Sequence, residues 1–162
     1  MPHLDAAYNL ARWLARDRDL ADDIVQDAMV RAFRAFDSLR GEDAKPWLLT
    51  IVRNCHRTAL AQNRRRAHVP LPEEDGEMPP IRAEEPDPEV TAANTSDARK
   101  LRAAIATLPE EFRETLILRE MEDLSYREIA EVAGVPIGTV MSRLARARAM
   151  LREKWMSGDG MQ

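Results

Sequence analysis

The sequence predicts an all-α protein made of two small helical bundles that an acidic, proline-rich linker joins. Apolar residues recur every three or four positions through most of the 162 residues, which is typical of amphipathic helices. Charged residues make up 32% and aromatic residues 5%, as in small helical bundles. Six of the ten prolines fall between residues 69 and 97. The predicted boundaries are 1–68 for the first bundle, 69–97 for the linker, 98–156 for the second bundle and 157–162 for a tail.

Three helices account for the first bundle. The first runs from Leu4 to about Ala15, the second starts at Leu20, and Pro46 opens the third, because proline suits the first turn of a helix. The apolar face of the second helix is predicted to hold Ile24, Ala28, Met29, Ala32, Phe33 and Phe36. The apolar face of the third is predicted to hold Trp47, Leu48, Ile51, Val52 and Cys55. The loop between these two helices spans residues 37–46.

The opposite faces of the same helices are polar. The second helix opens with Asp22, Asp23, Gln26 and Asp27, and acids in a first turn complement the helix dipole. The third helix carries Lys45, Arg53, Asn54, His56 and Arg57 and ends in a basic run that includes Arg64 and Arg65. A basic, amide-bearing edge of this kind is suited to phosphates and bases.

The net charge of −4 comes from the predicted linker. Nine acids and one base, Arg82, lie between residues 69 and 97, giving that segment a charge of −8 and the rest of the chain +4. Low hydrophobicity with many charges and prolines does not form a core, so the segment is predicted to be a tether. The helical parts are therefore net basic, as a nucleic-acid binder requires.

The second bundle is predicted to end in a helix-turn-helix. Two amphipathic helices, around 101–108 and 110–121, precede it. Ser125 and Glu128 form a capping box, Gly134 suits the left-handed end of a helix, and Pro136 suits the start of the next. The last helix combines an apolar stripe with several arginines, a pattern suited to the major groove of DNA.

Composition also limits the classes of function. A single cysteine, Cys55, excludes an internal disulfide, and three histidines at unrelated spacing predict neither a metal site nor a cofactor. The sequence shows neither a nucleophile paired with a general base nor a phosphate-binding loop. It therefore predicts neither an enzyme nor a small-molecule substrate. No apolar run approaches the roughly 20 residues that span a bilayer, and the first residues lack the basic region and apolar core that are typical of a signal peptide. We expect a cytoplasmic protein.

In the order of these parts the chain resembles an extracytoplasmic-function (ECF, group 4) sigma factor of bacterial RNA polymerase. The segment 22–36 resembles region 2.2, which in this family docks on the coiled coil of the polymerase β′ subunit. Segment 47–54 and the basic run after it resemble regions 2.3 and 2.4, which melt and read the −10 element. Segments 108–113, 124–130 and 138–148 resemble region 4, which reads the −35 element. The resemblance also implies that the connector threads the active-site cleft and RNA exit path.

The resemblance implies a role for each group of polar residues. Polymerase binding falls to Asp22, Asp23, Gln26 and Asp27. Contact with the −10 element falls to Arg53, Asn54, His56, Arg57, Arg64 and Arg65, with the loop 37–46. Contact with the −35 element falls to Thr139, Ser142, Arg143, Arg146 and Arg148. The implied partners are core RNA polymerase (β′ coiled coil and β flap), promoter DNA and an anti-sigma factor, and the free protein is expected to be a monomer.

Two departures from the family pattern bear on these roles. Family members often have more helix before Leu4, so the first helix is short. Met141 and Ala145 stand where some members carry a larger or basic base-contacting side chain, so the −35 preference differs or depends on DNA shape. Two other readings stay open: a sigma-like mimic or adaptor that binds an anti-sigma protein, and a free-standing helix-turn-helix regulator.

Overall fold

The structure, a computed structural model, describes residues 3–39, 43–67 and 96–159, with backbone alone at 66, 67, 158 and 159. These residues form α-helices without a strand, so the all-α prediction is confirmed. The helices are α1 Leu4–Ala15, α2 Arg18–Arg34, α3 Ala44–Ala67, α4 Ser96–Ala106, α5 Glu110–Leu116, α6 Tyr126–Ala133 and α7 Ile137–Asp159. They divide into two compact units: unit 1 holds α1 to α3, and unit 2 holds α4, α5, α7 and most of α6.

In unit 1 the three helices each pack against the other two. The turn from α1 to α2 is closed locally: Arg16 adopts a left-handed conformation at φ 60°, and the carboxylate of Asp17 accepts a hydrogen bond from the Asp19 N–H at 3.0 Å. Asp17 thereby caps the start of α2, two residues before Leu20, where the sequence places the helix start. Small residues such as Ala7, Ala11 and Ala28 let the helices approach closely, and each is fully buried.

The apolar face of α2 differs from the prediction at its end. Ile24, Ala28 and Ala32 are buried as predicted, but Phe33 is 82% exposed and Phe36 is 59% exposed. The prediction that these two rings belong to the core is wrong. Phe33 follows Ala32 directly, and one residue turns a helix by about 100°, which carries the ring away from the buried side.

Helix α3 starts at Ala44, two residues before Pro46, so proline occupies the first turn. Its buried side includes Leu48, Leu49, Val52 and Cys55. His56 is buried too, with 3% of its surface exposed, because it lies one helical turn from Val52 on the same side. The prediction that His56 lies on the basic face is therefore wrong. Of the predicted loop 37–46, residues 37 and 38 belong to a 3₁₀ turn, Phe36–Ser38, residues 44–46 belong to α3 rather than to a loop, and residues 40–42 lie outside the described part.

Unit 2 begins with α4 and α5, separated by a short turn before Pro109. The buried guanidinium of Arg113 donates hydrogen bonds to the carbonyls of Leu108, at 3.1 Å, and Ala106, at 3.4 Å. These bonds satisfy carbonyls at the end of α4 and fix the turn. After α5 the chain continues as a π-helical turn, Ile117–Met121, where Ile117 and Leu118 are buried.

The helix-turn-helix forms as the sequence predicts. The Ser125 hydroxyl accepts from the Glu128 N–H at 3.1 Å, and the Glu128 carboxylate accepts from the Ser125 N–H at 2.8 Å. Gly134 ends α6 in the left-handed conformation, at φ 68°. Pro136 then precedes α7, whose buried side holds Val140 and Leu144.

Helices extend into both ends of the second bundle, over residues predicted as linker and as tail. Residues 69–95 of the linker lie outside them, and α4 begins at Ser96, within the last two residues of the predicted linker. Helix α7 continues to Asp159, so the residues from Ser157 to Asp159 are helical rather than part of a frayed tail. Ile105 of α4 and Leu108 of the turn after it are buried in unit 2, while Leu101 of α4 is 40% exposed.

Candidate functional surfaces

The acidic side of α2 lies on the surface of unit 1. Asp23, Gln26 and Asp27 are exposed, opposite the buried Ile24 and Ala28. Asp22 is half-buried, and its carboxylate accepts a hydrogen bond from the Tyr8 hydroxyl of α1. Three of the four predicted polymerase-binding side chains therefore face solvent, and the fourth ties α2 to α1.

The same side of α2 becomes apolar toward its end. Val30 lies one helical turn beyond Gln26 and is 48% exposed, and Phe33 follows at the next turn. The helical periodicity of the sequence does not predict this surface, because it assigns Phe33 to the core. Ala21, Ala28 and Ala32 are buried and recur at helical spacing, so they mark the buried side of α2. Phe33 does not fit this spacing, and this is the feature of the sequence that indicates its exposure.

Asp27 also interacts within unit 1. Its carboxylate lies 3.2 Å from the Arg31 guanidinium, one turn along α2. Burial raises the pKa of the Cys55 thiol to about 11, and the charge of Asp27 adds to the effect by disfavouring a second anion. The thiol is therefore protonated at neutral pH, in line with the structural role predicted for Cys55.

The basic side of α3 assembles most of the predicted −10 residues. Asn54, Arg57, Arg64 and Arg65 are exposed and recur at three-, seven- and one-residue intervals, which places them on one side of the helix. Arg53 is half-buried at the border of this side. His56 does not join them, because its ring lies on the buried side.

The predicted −35 residues surround the exposed half of α7. Ser142, Arg146 and Arg148 are exposed, and Thr139 and Arg143 are half-buried. The Ser142 hydroxyl donates to the Gly138 carbonyl at 3.1 Å. All five residues therefore belong to one helix, with Thr139 and Arg148 on opposite sides of it.

Two of the arginines on α7 are paired with acids of the preceding segment. Arg148 donates to the Glu120 carboxylate at 2.8 Å, and this hydrogen bond raises the pKa of Arg148. Arg143 lies 3.8 Å from Glu111. The sequence pattern does not predict roles for Glu111 and Glu120, since the pairing depends on how α5 and the π-helical turn pack against α7.

A further arginine fixes the entry into α6. Arg119 donates to the Leu124 carbonyl at 2.9 Å, and its guanidinium lies 4.9 Å from the centre of the Tyr126 ring. A planar cation over an aromatic face is an attractive contact. Arg119 therefore supports the start of the helix-turn-helix from the segment before it, a role the sequence analysis did not assign.

Within residues 3–39, 43–67 and 96–159, no group of three or more histidine, cysteine, aspartate or glutamate side chains could hold a metal ion. In the same ranges, no helix combines the length and the apolar character that crossing a bilayer requires.

Comparison with known families matches both units. Residues 1–66 match the family described as Sigma-70 region 2, and residues 98–151 match Sigma-70, region 4. The chain is 34% identical over 151 residues to the ECF RNA polymerase sigma factor SigE of Mycolicibacterium smegmatis, covering 93% of this chain and 58% of that relative. It is 37% identical over 150 residues to the ECF RNA polymerase sigma-E factor of Haemophilus influenzae, covering 90% and 78%.

Solved structures show the same fold. The sigma factor RpoE in complex with the anti-sigma factor NepR, from Bartonella quintana, superposes with a TM-score of 0.76 at 29% identity, over 94% of this chain and 91% of that one. CnrH in complex with the cytosolic domain of CnrY superposes with a TM-score of 0.65 at 24% identity, over 96% and 84%, a likeness of fold alone.

Proposed function

The chain belongs to the extracytoplasmic-function sigma factors of the sigma-70 family, and we propose that its two units divide the work of transcription initiation. As an alternative sigma factor it binds core RNA polymerase and promoter DNA. In the proposal, unit 1 docks on the polymerase and opens the −10 element, and unit 2 reads the −35 element. The observation that carries it is that an acidic surface lies on α2 of unit 1, and basic surfaces lie on α3 of unit 1 and on α7 of unit 2.

Polymerase docking is assigned to the exposed acidic side of α2. Asp23, Gln26 and Asp27 combine two carboxylates and an amide within two helical turns, a set that pairs with the arginines and lysines of a partner helix. Asp22 supports this surface indirectly, since its carboxylate is engaged by Tyr8.

Contact with the −10 element is assigned to the basic side of α3. Asn54, Arg57, Arg64 and Arg65 offer an amide that can pair with a base edge and three cations that can pair with phosphates. A base must leave the duplex before its edge is read, at a cost of a few kcal/mol. Polymerase and sigma factor therefore act together at this step, and the catalysis belongs to the polymerase.

Contact with the −35 element is assigned to α7, through Thr139, Ser142, Arg143, Arg146 and Arg148. A helix that follows a tight turn places its first residues in the major groove, where base edges are read. A bidentate arginine to guanine contributes about 1 to 3 kcal/mol of discrimination. The ion pairs of Arg143 and Arg148 with Glu111 and Glu120 are on the surface, where such pairs contribute little, so DNA phosphates can replace the carboxylates.

Control by an anti-sigma factor is the second part of the proposal. The similar RpoE structure is a complex with an anti-sigma factor. In this chain the exposed apolar side chains of Val30 and Phe33 lie beside the acidic docking surface of α2, and Phe36 is exposed in the 3₁₀ turn that follows the helix. A partner that covers α2 would block polymerase binding without unfolding either unit.

Reconstitution with purified bacterial core polymerase tests the division of labour. The Asp23→Arg/Gln26→Ala protein is expected to lose core binding by about tenfold or more, because it reverses a charge at the interface. The Arg143→Ala/Arg146→Ala protein is expected to bind core normally and to lose −35-dependent initiation. Matched controls are Asp5→Arg, an exposed carboxylate of α1, and Arg152→Ala, an exposed arginine farther along α7.

The measurements are holoenzyme formation and mapped transcript starts. A protein that never binds core but binds duplex DNA would instead be a free-standing regulator, and one that binds neither would be a mimic or adaptor. In the same assay, an added cognate anti-sigma protein is expected to abolish holoenzyme formation by the wild type. Unchanged core binding in its presence would contradict the regulatory part of the proposal.

A further inference from the structure

The three arginines assigned to the −35 element differ in their acidic partners. Arg148 donates a hydrogen bond to the Glu120 carboxylate at 2.8 Å, and the Arg143 guanidinium lies 3.8 Å from the Glu111 carboxylate. Arg146 forms no ion pair with any residue that the structure describes. Of these three arginines, Arg148 is therefore the one that an acid of the same chain holds most closely.

The electrostatics of its own helical segment do not explain the acid at position 120. Glu111 lies in the first turn of α5, where an acid complements the helix dipole. Glu120 lies near the other end of the same segment, in the π-helical turn Ile117–Met121, where the exposed carbonyl groups favour a cation instead. The contact that favours a carboxylate at position 120 is the hydrogen bond with Arg148.

The pair between Glu120 and Arg148 is open to solvent, with 53% and 46% of the two side chains exposed. DNA can therefore reach the guanidinium without any change in the core of unit 2. A phosphate that binds there also meets the carboxylate, and two negative charges a few ångströms apart repel each other. DNA gains the full attraction of Arg148 only when the Glu120 carboxylate moves away.

The same pairing weakens the attraction that acts before contact. A guanidinium and a carboxylate 2.8 Å apart carry no net charge together, so their field falls off faster than that of an isolated cation. Non-specific binding to a duplex depends on cations that neutralise phosphates. Arg146 supplies such a cation in the free protein, whereas Arg148 supplies one only after its pair separates.

We propose that Glu120 is an autoinhibitory residue, which occupies Arg148 in the free protein in the place that a DNA phosphate takes in the complex. The inference rests on the proposed function of unit 2 as the −35 reader. It adds that an acid of this chain lowers the affinity of unit 2 for every duplex, whatever its sequence. Stable contact with the −35 element then depends on the polymerase, which holds unit 2 beside the promoter and raises its effective concentration there.

Fluorescence anisotropy of the full-length protein with a random-sequence duplex tests this exchange. At about 50 mM salt, Glu120→Gln is expected to bind about two- to fivefold more tightly than wild type, the fold-change that corresponds to one exposed ion pair. Glutamine keeps the shape of the side chain but not its charge. Glu153→Gln, an equal change of net charge at an exposed acid farther along α7, is expected to have a smaller effect. Glu111→Gln is expected to lie between the two, because its partner is 3.8 Å away.

A double-mutant cycle shows whether Glu120 acts through Arg148. In the Arg148→Ala background, Glu120→Gln is expected to give no more gain than Glu153→Gln, because the group that Glu120 occupies is absent. The inference would be overturned by a gain that persists without Arg148, by equal effects of Glu120→Gln and Glu153→Gln, or by weaker binding of Glu120→Gln. Each of these results leaves the sigma function intact. A wild-type holoenzyme whose transcription does not depend on the −35 element would overturn the proposed function of unit 2 itself.

Discussion

Cys55 shows how one buried side chain connects the packing of unit 1 to its chemistry. The thiol lies on the buried side of α3, and burial and the neighbouring Asp27 carboxylate together raise its pKa from 9.0 to about 11. The thiolate is the reactive form of cysteine, so a thiol that stays protonated at neutral pH is a poor nucleophile. Cys55 is therefore part of the core rather than of a reactive site.

This pKa predicts how stability changes in alkaline solution. Between about pH 9 and pH 11 the unfolded chain releases the thiol proton and the folded chain keeps it, so the free energy of unfolding falls as pH rises, by at most about 1.4 kcal/mol per pH unit. Below this window the contribution is fully present. Urea denaturation of the wild type and of Cys55→Ala across this range measures the difference, and we expect a shallower pH dependence in the variant. Parallel curves for the two proteins would refute the prediction.

Arg143 and Arg148 show that the type of a residue alone does not determine its role. The two arginines and Arg146 are chemically identical, yet the first two are held by Glu111 and Glu120. The neighbouring segment therefore anchors two of the three guanidiniums, which residue type alone does not indicate.

The turn between α6 and α7 is the element whose geometry is most local. The left-handed Gly134 and the proline at position 136, like the capping box at the start of α6, act over only a few residues each. Such interactions need no distant partner to form. The turn therefore fixes the direction of α7 and with it the residues that can reach the groove.

Replacement by alanine is expected to have opposite effects on stability at Gly134, in the turn, and at Gly138, in the first turn of α7. Gly134→Ala places a Cβ at φ 68° and is expected to destabilise unit 2 by about 1 kcal/mol or more. Gly138→Ala fills open space in an ordinary helical conformation and is expected to raise stability by up to about 1 kcal/mol. Thermal or urea unfolding of the two variants against wild type makes the comparison, and effects of the same sign would contradict this account of the turn.

Apolar side chains are exposed at the end of α2 and in the 3₁₀ turn that follows it. Val30, Phe33 and Phe36 remain on the surface at 48%, 82% and 59% exposure. Exposed apolar side chains next to charged ones are typical of protein interaction sites. The end of α2 thus supports the proposal that a partner protein covers this helix.

At the scale of the whole molecule, charge is distributed unevenly along the chain. The nine acids of residues 69–97 outweigh a remainder that is net positive, which is why a DNA-binding protein has a net charge of −4. Long-range repulsion between an acidic chain and DNA slows and weakens non-specific association. The acidic segment is therefore expected to limit DNA binding by the free protein.

Neutralising four of these acids tests that expectation. Changing Glu73, Glu74, Asp75 and Glu77 to their amides brings the formal net charge to zero. The free variant is expected to bind a random-sequence duplex more tightly than wild type at about 50 mM salt, with the difference shrinking at about 200 mM as screening increases. Fluorescence anisotropy at both salt concentrations is the measurement. Equal affinity at the lower concentration would show that the acids do not act on DNA binding.

The sequence by itself determined the helices, their order, the capping box and the glycine turn. Each of these follows from contacts between residues at most a few positions apart, so periodicity and composition predict them. It also placed the acids of α2 and the arginines of α3 and α7 on polar sides, because charged groups avoid burial.

Only the tertiary structure determined whether residues at the border between the two sides of a helix are buried or exposed. Phe33 was predicted to be buried and is exposed, whereas His56 was predicted to be exposed and is buried. The pairing of Arg143 and Arg148 with acids more than 25 residues away along the chain was equally out of reach of local patterns. The physical reason is that burial at such a border depends on how neighbouring helices are rotated and how closely they approach, which is a property of the packed unit.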